Sequence, residues 1–126
     1  MLSFFYRLAI TPFGSKVAGW LFSYTLPILP LKRVEETGRL LAFHHPRPSY
    51  PFHVLIVPKK RLSRLEELSP SDVAVFQDLL MIVKKLVNRY NLAASGYRLI
   101  LNGGRYQDFP YLHFHLVSDL EETNHA

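Results

Sequence analysis

Six residues held between two prolines, Phe52-His-Val-Leu-Ile-Val57 after Pro51 and before Pro58, constrain this chain most. The run is too short for a helix, rich in β-branched residues and closed by a residue that lacks an amide proton, so it predicts a central apolar strand. The neighbouring patterns build around it. Lys32 to Glu36 and Leu40 to His44 predict a hairpin turned at Thr37-Gly38, and Tyr97 to Asn102 and Tyr111 to Ser118 predict two further strands joined by a loop with Gly103, Gly104 and Pro110. Between these pairs, Ser69-Pro70-Ser71-Asp72 supplies a capping residue, a first-turn proline and an acid three positions after the cap. A helix is predicted from there to Asn91, with Val73, Phe76, Leu80, Val83, Val87 and Tyr90 as its core stripe. The expected fold class is α+β, with one long helix.

The residues before Pro30 follow different rules. They are aromatic, apolar and free of acids, and with Arg7, Lys16, Lys32 and Arg33 all preceding the first acid, Glu35, four of the five net positive charges lie before that residue. Elsewhere the charges nearly cancel, and the run Lys59-Lys60-Arg61 is short for a nucleic-acid tract, which argues against a dedicated nucleic-acid partner. The chain divides into an apolar extension, 1–29, and a domain, 30–126. Within the extension, Ser15 is placed to cap a short helix from Lys16 to about Thr25, with Val17, Trp20, Leu21 and Tyr24 on one face. Pro27 and Pro30 leave no run of the ~20 apolar residues a spanning helix needs, and Pro12 and Gly14 break a secretory pattern. A cytoplasmic location is the expectation, with peripheral membrane contact or a protein contact through the first 15 residues. Zero cysteines exclude disulfides, thiolate metal sites and thiol catalysis, which turns attention to the six histidines.

Two of these histidines stand in the last strand, Tyr111-Leu-His113-Phe-His115-Leu-Val117. Strand alternation would place Tyr111, His113 and His115 on one face and Leu112, Phe114 and Leu116 on the other. His53 and Asn102 sit at strand ends that can border the same surface. Such groups suit phosphate chemistry: a neutral imidazole attacks phosphorus, and others donate hydrogen bonds to its oxygens. By spacing alone, surface histidines, a metal pair and a catalytic pair all remain open. A metal would need a third ligand from His44, His45, His53 or an acid.

Four segments together resemble the histidine-triad (HIT) family, in the branch that includes nucleoside phosphoramidate hydrolases: Leu41-Ala-Phe-His-His45, Phe52 to Arg61, Gly96 to Asn102, and the histidine strand. The resemblance implies a HIT-like fold with a five-stranded antiparallel sheet, a homodimer, and a nucleotide or nucleotide conjugate as ligand. It implies no cofactor and no metal. It assigns His113 as the nucleophile that forms a nucleotidyl-histidine, His115 as a phosphate ligand, His53 as a group near the phosphate or leaving group, and Asn102 as a phosphate-side hydrogen-bond partner. The family's first histidine is replaced by Tyr111, counted with the catalytic group. The implied alternative is a nucleotide-binding or scaffold module with little or no turnover.

Other positions follow from the same resemblance. Trp20, Leu21 and Tyr24, with Phe43 and His44, match the base pocket. His45 replaces an acid that accepts ribose hydroxyls, and Arg105, in a loop about two residues shorter than in the phosphoramidate hydrolases, either meets a phosphate or sugar acid or is a solvated loop arginine.

Overall fold

The computed structural model describes residues 32–119. The predicted N-terminal helix, with Trp20, Leu21 and Tyr24, and the boundary at residue 30 lie outside the described residues. Five strands form one antiparallel sheet: β1 (Arg33–Glu36), β2 (Leu40–His44), β3 (Phe52–Pro58), β4 (Arg98–Ile100) and β5 (Phe114–Ser118). Their spatial order is β1-β2-β3-β5-β4, which puts the run between Pro51 and Pro58 at the centre, where all seven residues of β3 are buried. A helix long and apolar enough to cross a membrane is absent among the described residues.

Register assigns the two faces. Opposed residues in an antiparallel pair share a face, so the pairs Ala42↔Ile56 and Val54↔Leu116 align Leu40, Ala42, Phe52, Val54, Ile56, Phe114 and Leu116 on one side. These residues form the main core with the long helix α1 (Val73–Arg89). The other side carries Phe43, Leu55 and His115 in one row and His53 with Val117 in the next. One face of the sheet packs against the helix, and His53 and His115 occupy the opposite face.

The helix turns a different stripe to the sheet from the one predicted. Val75, Leu79, Ile82, Val83 and Leu86 are buried, with Phe76, Val87 and Tyr90 packed at the edge, whereas Val73 and Leu80 are 58% and 62% exposed. Apolar residues cover more than one seam of this helix, so periodicity alone does not choose; the anchor does. Buried Asp78 accepts a 2.7 Å hydrogen bond from Thr37 Oγ1 and lies 3.6 Å from Arg39. Thr37 in turn accepts from the Leu40 amide, so the hairpin turn and the helix are fastened together and the rotation of α1 is fixed. The predicted cap closes a 3₁₀ turn, Pro70–Asp72, where the Ser69 amide donates to Asp72 Oδ2, and the α-helix begins one residue later. Asn91, at a φ of 53°, ends the helical path, and a short helix α2 (Leu92–Ser95) leads to β4.

Both outer ends of the β4–β5 unit are shorter than predicted. β5 starts at Phe114, so Tyr111 and His113 precede the ladder, although Leu112 still joins Phe114 and Leu116 in the core and the His113 ring still lies 5.0 Å from that of His115. Pro110 brings no amide proton, and the Leu112 amide donates to the Leu62 carbonyl at 2.7 Å, which takes this stretch out of the sheet.

Candidate active site

The pairing of β2 with β3 continues one residue past the strand, where the His45 amide donates to the His53 carbonyl. His45 therefore faces His53, with ring centroids 4.4 Å apart, and His53 lies 5.1 Å from His115 on the next strand. His113 adds its ring 5.0 Å from His115. Three separate segments thus bring four imidazoles together, and all are buried or half-buried.

The connecting loop, His45-Pro-Arg-Pro-Ser-Tyr-Pro51, orients two of them. Its three prolines hold φ near −65° and donate nothing, while the intervening amides turn inward. The Arg47 amide donates to His45 Nδ1 and the Ser49 amide to His53 Nδ1, each at 3.0 Å. A backbone amide can only donate, so both Nδ1 atoms carry lone pairs and both neutral rings hold their proton on Nε2. His53 Nε2 lies 2.9 Å from His115 Nδ1, so His53 donates, His115 accepts, and the His115 proton also sits on Nε2. His113 has the opposite tautomer. Its Nδ1 lies 2.8 Å from the Tyr111 carbonyl oxygen, which only accepts, so the proton is on Nδ1 and Nε2 keeps the lone pair.

The rings stay neutral at pH 7. Burial pushes His45 and His53 down to about 4 and His115 to about 3, each reinforced by neighbouring imidazoles. Burial also lowers His113, opposed by its bond to the Tyr111 carbonyl and by the Asp108 carboxylate. Asp108 acts on His45 in the same sense.

Ring nitrogens of His45, His53 and His115 lie within 4.8 Å of one another, which in number and spacing matches a three-histidine metal site. The tautomers do not match. A histidine that ligates a metal donates its other N–H outward, whereas His45 and His53 accept on that side, and a metal at Nε2 would set N–H against N–H. With the His53 N–H given to His115, what His45 and His115 bring to a partner is N–H at Nε2, the donor that an oxyanion needs.

A cavity of about 300 Å³ opens beside them, lined by His45, Ser49, Tyr50, His53, Ile100, Asn102, Tyr106, Asp108, His115 and Val117. His53, His115, Asn102 and His45 are thus brought together as the sequence led one to expect. Other expected residues lie elsewhere. His44 pairs with Val54 and so falls on the helix face, opposite His45; Phe43 is fully buried in the Leu55 row and is not among the lining residues. Arg105 stacks its guanidinium on Tyr106, 5.3 Å from the ring centre, and does not line the cavity. Tyr111 is also outside it, with Arg61 over its ring at 5.4 Å and Phe109 edge-on at 5.7 Å. Orientation of His113 at Nδ1 comes from the main chain of residue 111, which the tyrosine leaves in place. Sequence reasoning missed Ser49, Tyr50, Tyr106 and Asp108 as lining residues; the alternating prolines before His53 were the available signal for the first two. A larger cavity of about 710 Å³ lies at Gly38, Lys59 and Ser71, away from the histidines, and its cations Lys59, Lys60 and Arg39 pair with Glu36, Asp72 and Asp78.

Residues 29–122 match the HIT domain family. The chain belongs to the HIT family. Among its HIT relatives, a HIT-like protein of Buchnera aphidicola subsp. Baizongia pistaciae (strain Bp) is 30% identical over 92 residues, 71% of this chain and 82% of the relative. The fold is similar to that of a HIT family hydrolase from Legionella pneumophila Philadelphia 1, with a TM-score of 0.69, 30% identity, and coverage of 77% of this chain and 88% of that one. A histidine triad nucleotide-binding protein from Candida albicans superposes with a TM-score of 0.61 at 29% identity, covering 72% and 67%.

Proposed function

We propose that this HIT protein binds a nucleotide or nucleotide conjugate at the histidine cavity and hydrolyses it, with nucleoside phosphoramidates as the substrate class. The observation that carries the reading is the tautomer of His113. Its Nδ1–H is committed to the Tyr111 carbonyl, which puts the ring's lone pair on Nε2, the atom that attacks the α-phosphorus. As the Nε2–P bond forms, the P–N bond to the leaving amine breaks and that nitrogen departs with the electron pair and takes up a proton. Water then attacks phosphorus, the P–Nε2 bond breaks, and a nucleoside monophosphate leaves with His113 restored. His115, its proton directed to Nε2 by the His53 bond, is suited to hold a non-bridging oxygen through the charge build-up of both steps.

The Candida relative, by its name, binds a nucleotide, and the Legionella relative is a hydrolase; both likenesses support the reading. The test is His113→Ala. It abolishes phosphoramidate turnover while leaving AMP affinity within about tenfold, because the nucleophile acts on the reaction more than on ground-state binding. Rapid quench of the wild type traps an acid-labile phosphohistidine; unchanged turnover in the variant, or a single inverting displacement by water, removes the two-step scheme. One observation favours the second reading, a binding module without turnover: His113 is only 5% exposed. Tight AMP binding with no hydrolysis of any phosphoramidate supports that alternative.

A further inference from the structure

The geometry points to His45 as a hydrogen-bond donor, beside His115, to the phosphoryl group being transferred, so that this residue stabilises charge on phosphorus more than it reads the sugar. The inference rests on the proposed phosphoryl chemistry and deepens it. Position 45 holds an imidazole whose single acceptor nitrogen already takes the Arg47 amide, so toward any ligand the neutral ring acts as a donor. A sugar hydroxyl oxygen accepts such an N–H as well, but it is neutral, and a bond to an ionised phosphoryl oxygen is about twice as strong. A phosphoryl group presents only acceptors.

The spacing agrees. One ring nitrogen from each of His45, His53 and His115 lies within 4.8 Å of the others, a spacing on the scale of a single tetrahedral group whose oxygens take N–H···O bonds of about 2.8 Å. The His45 and His115 rings are nearly parallel, 22° apart with centroids 6.1 Å apart, which aligns two flat donors beside the same small cavity. Both tautomers are fixed before any ligand arrives, by the Arg47 amide for His45 and by the Ser49 amide acting through His53 for His115. Donors set in advance need no reorganisation as charge develops, which is the condition under which an oxyanion site contributes most to rate. Asp108 lines the same cavity, and its carboxylate acts on His45 in the sense that favours a protonated ring.

Binding of orthovanadate, AMP and adenosine to wild type, His45→Phe and His45→Asn tests this. Phenylalanine keeps a flat ring without a donor and weakens orthovanadate by about tenfold or more, while adenosine changes less than about twofold. Asparagine restores an N–H and recovers part of the loss. With a phosphoramidate substrate, His45→Phe lowers kcat by about a hundredfold with a small change in KM. In the wild type, independent of any variant's folding, the His45 Nε2–H resonance shifts on addition of orthovanadate. Loss of adenosine affinity in parallel with orthovanadate, or a His45 resonance that ignores orthovanadate while wild type binds it, overturns the inference and leaves nucleotide binding standing. Stoichiometric binding of zinc alone, lost in His45→Phe, overturns the tautomers on which it depends. A wild type that binds neither AMP nor orthovanadate removes the nucleotide reading itself, and the inference with it.

Discussion

Acidification from about pH 7.5 to about pH 5 is expected to destabilise this protein through its histidine cluster. In the folded state His45, His53 and His115 sit at about 4, 4 and 3, against 6.5 for the exposed ring of an unfolded chain. The unfolded chain therefore binds more protons throughout the window from 6.5 down to about 4. Stability contributed by the neutral rings is complete above 6.5 and is lost as pH falls through that window. A solution at about pH 5 lies about 1.5 units below the value at which the unfolded rings charge, which at about 1.4 kcal/mol per unit is about 2 kcal/mol per ring. Solvent entering the open cavity screens part of this, leaving about 1 kcal/mol per ring and about 3 kcal/mol for the three. Glu36 and Asp72, both held below their ordinary 4.5 and 3.8 by hydrogen bonds and nearby lysines, act only at lower pH. Urea unfolding at the two pH values reads the difference directly: for a slope of about 1.5 kcal/mol/M the midpoint drops by about 2 M. His53→Gln, which removes one titrating ring and its bond to His115, flattens the pH dependence by about a third even if it lowers stability throughout. A midpoint that is constant or rises toward pH 5 refutes the account, because it would mean that the rings are solvated and charge freely.

Other consequences are equally open to measurement. Tyr111→Phe keeps the backbone carbonyl that holds His113 Nδ1, and phosphoramidate turnover is expected to stay within about threefold of wild type; a loss of a hundredfold would place the phenol in the reaction. Asp78→Ala strands the Thr37 hydroxyl and releases Arg39, and thermal or urea unfolding is expected to report a loss of about 2 kcal/mol, with most of it recovered by Asp78→Asn; a change below about 0.5 kcal/mol would mean that the hairpin and helix are not fastened there. The half-exposed apolar residues Tyr97 and Leu99 on the edge strand, with Leu80 and Met81 on α1, are expected to be covered in a homodimer. Sedimentation at micromolar concentration then gives a dimer that Leu99→Lys weakens by about tenfold or more, and a wild-type monomer would contradict it.

The sequence by itself determined the local elements and much of the fold. Alternation and turn residues placed all five strands, proline-bounded Phe52–Val57 at the centre, and Ser69 to Asp72 marked where the helical path begins, because strand period and capping are set by residues a few positions apart. Separation of His53 and His115 from the helix-packed face was legible for the same reason. Tertiary structure decided what depends on distant partners. The helix stripe was ambiguous until Thr37, 41 residues away in the chain, held Asp78. Tyr111 to His113 lie outside the sheet ladder, where the Leu112 amide meets the Leu62 carbonyl in place of a neighbouring strand, and Tyr111 does not line the histidine cavity. The chemical character of the site was the least readable of all. A histidine in a sequence is donor and acceptor alike, and only the Arg47 and Ser49 amides and the Tyr111 carbonyl, brought against the rings by folding, decide which nitrogen carries the proton.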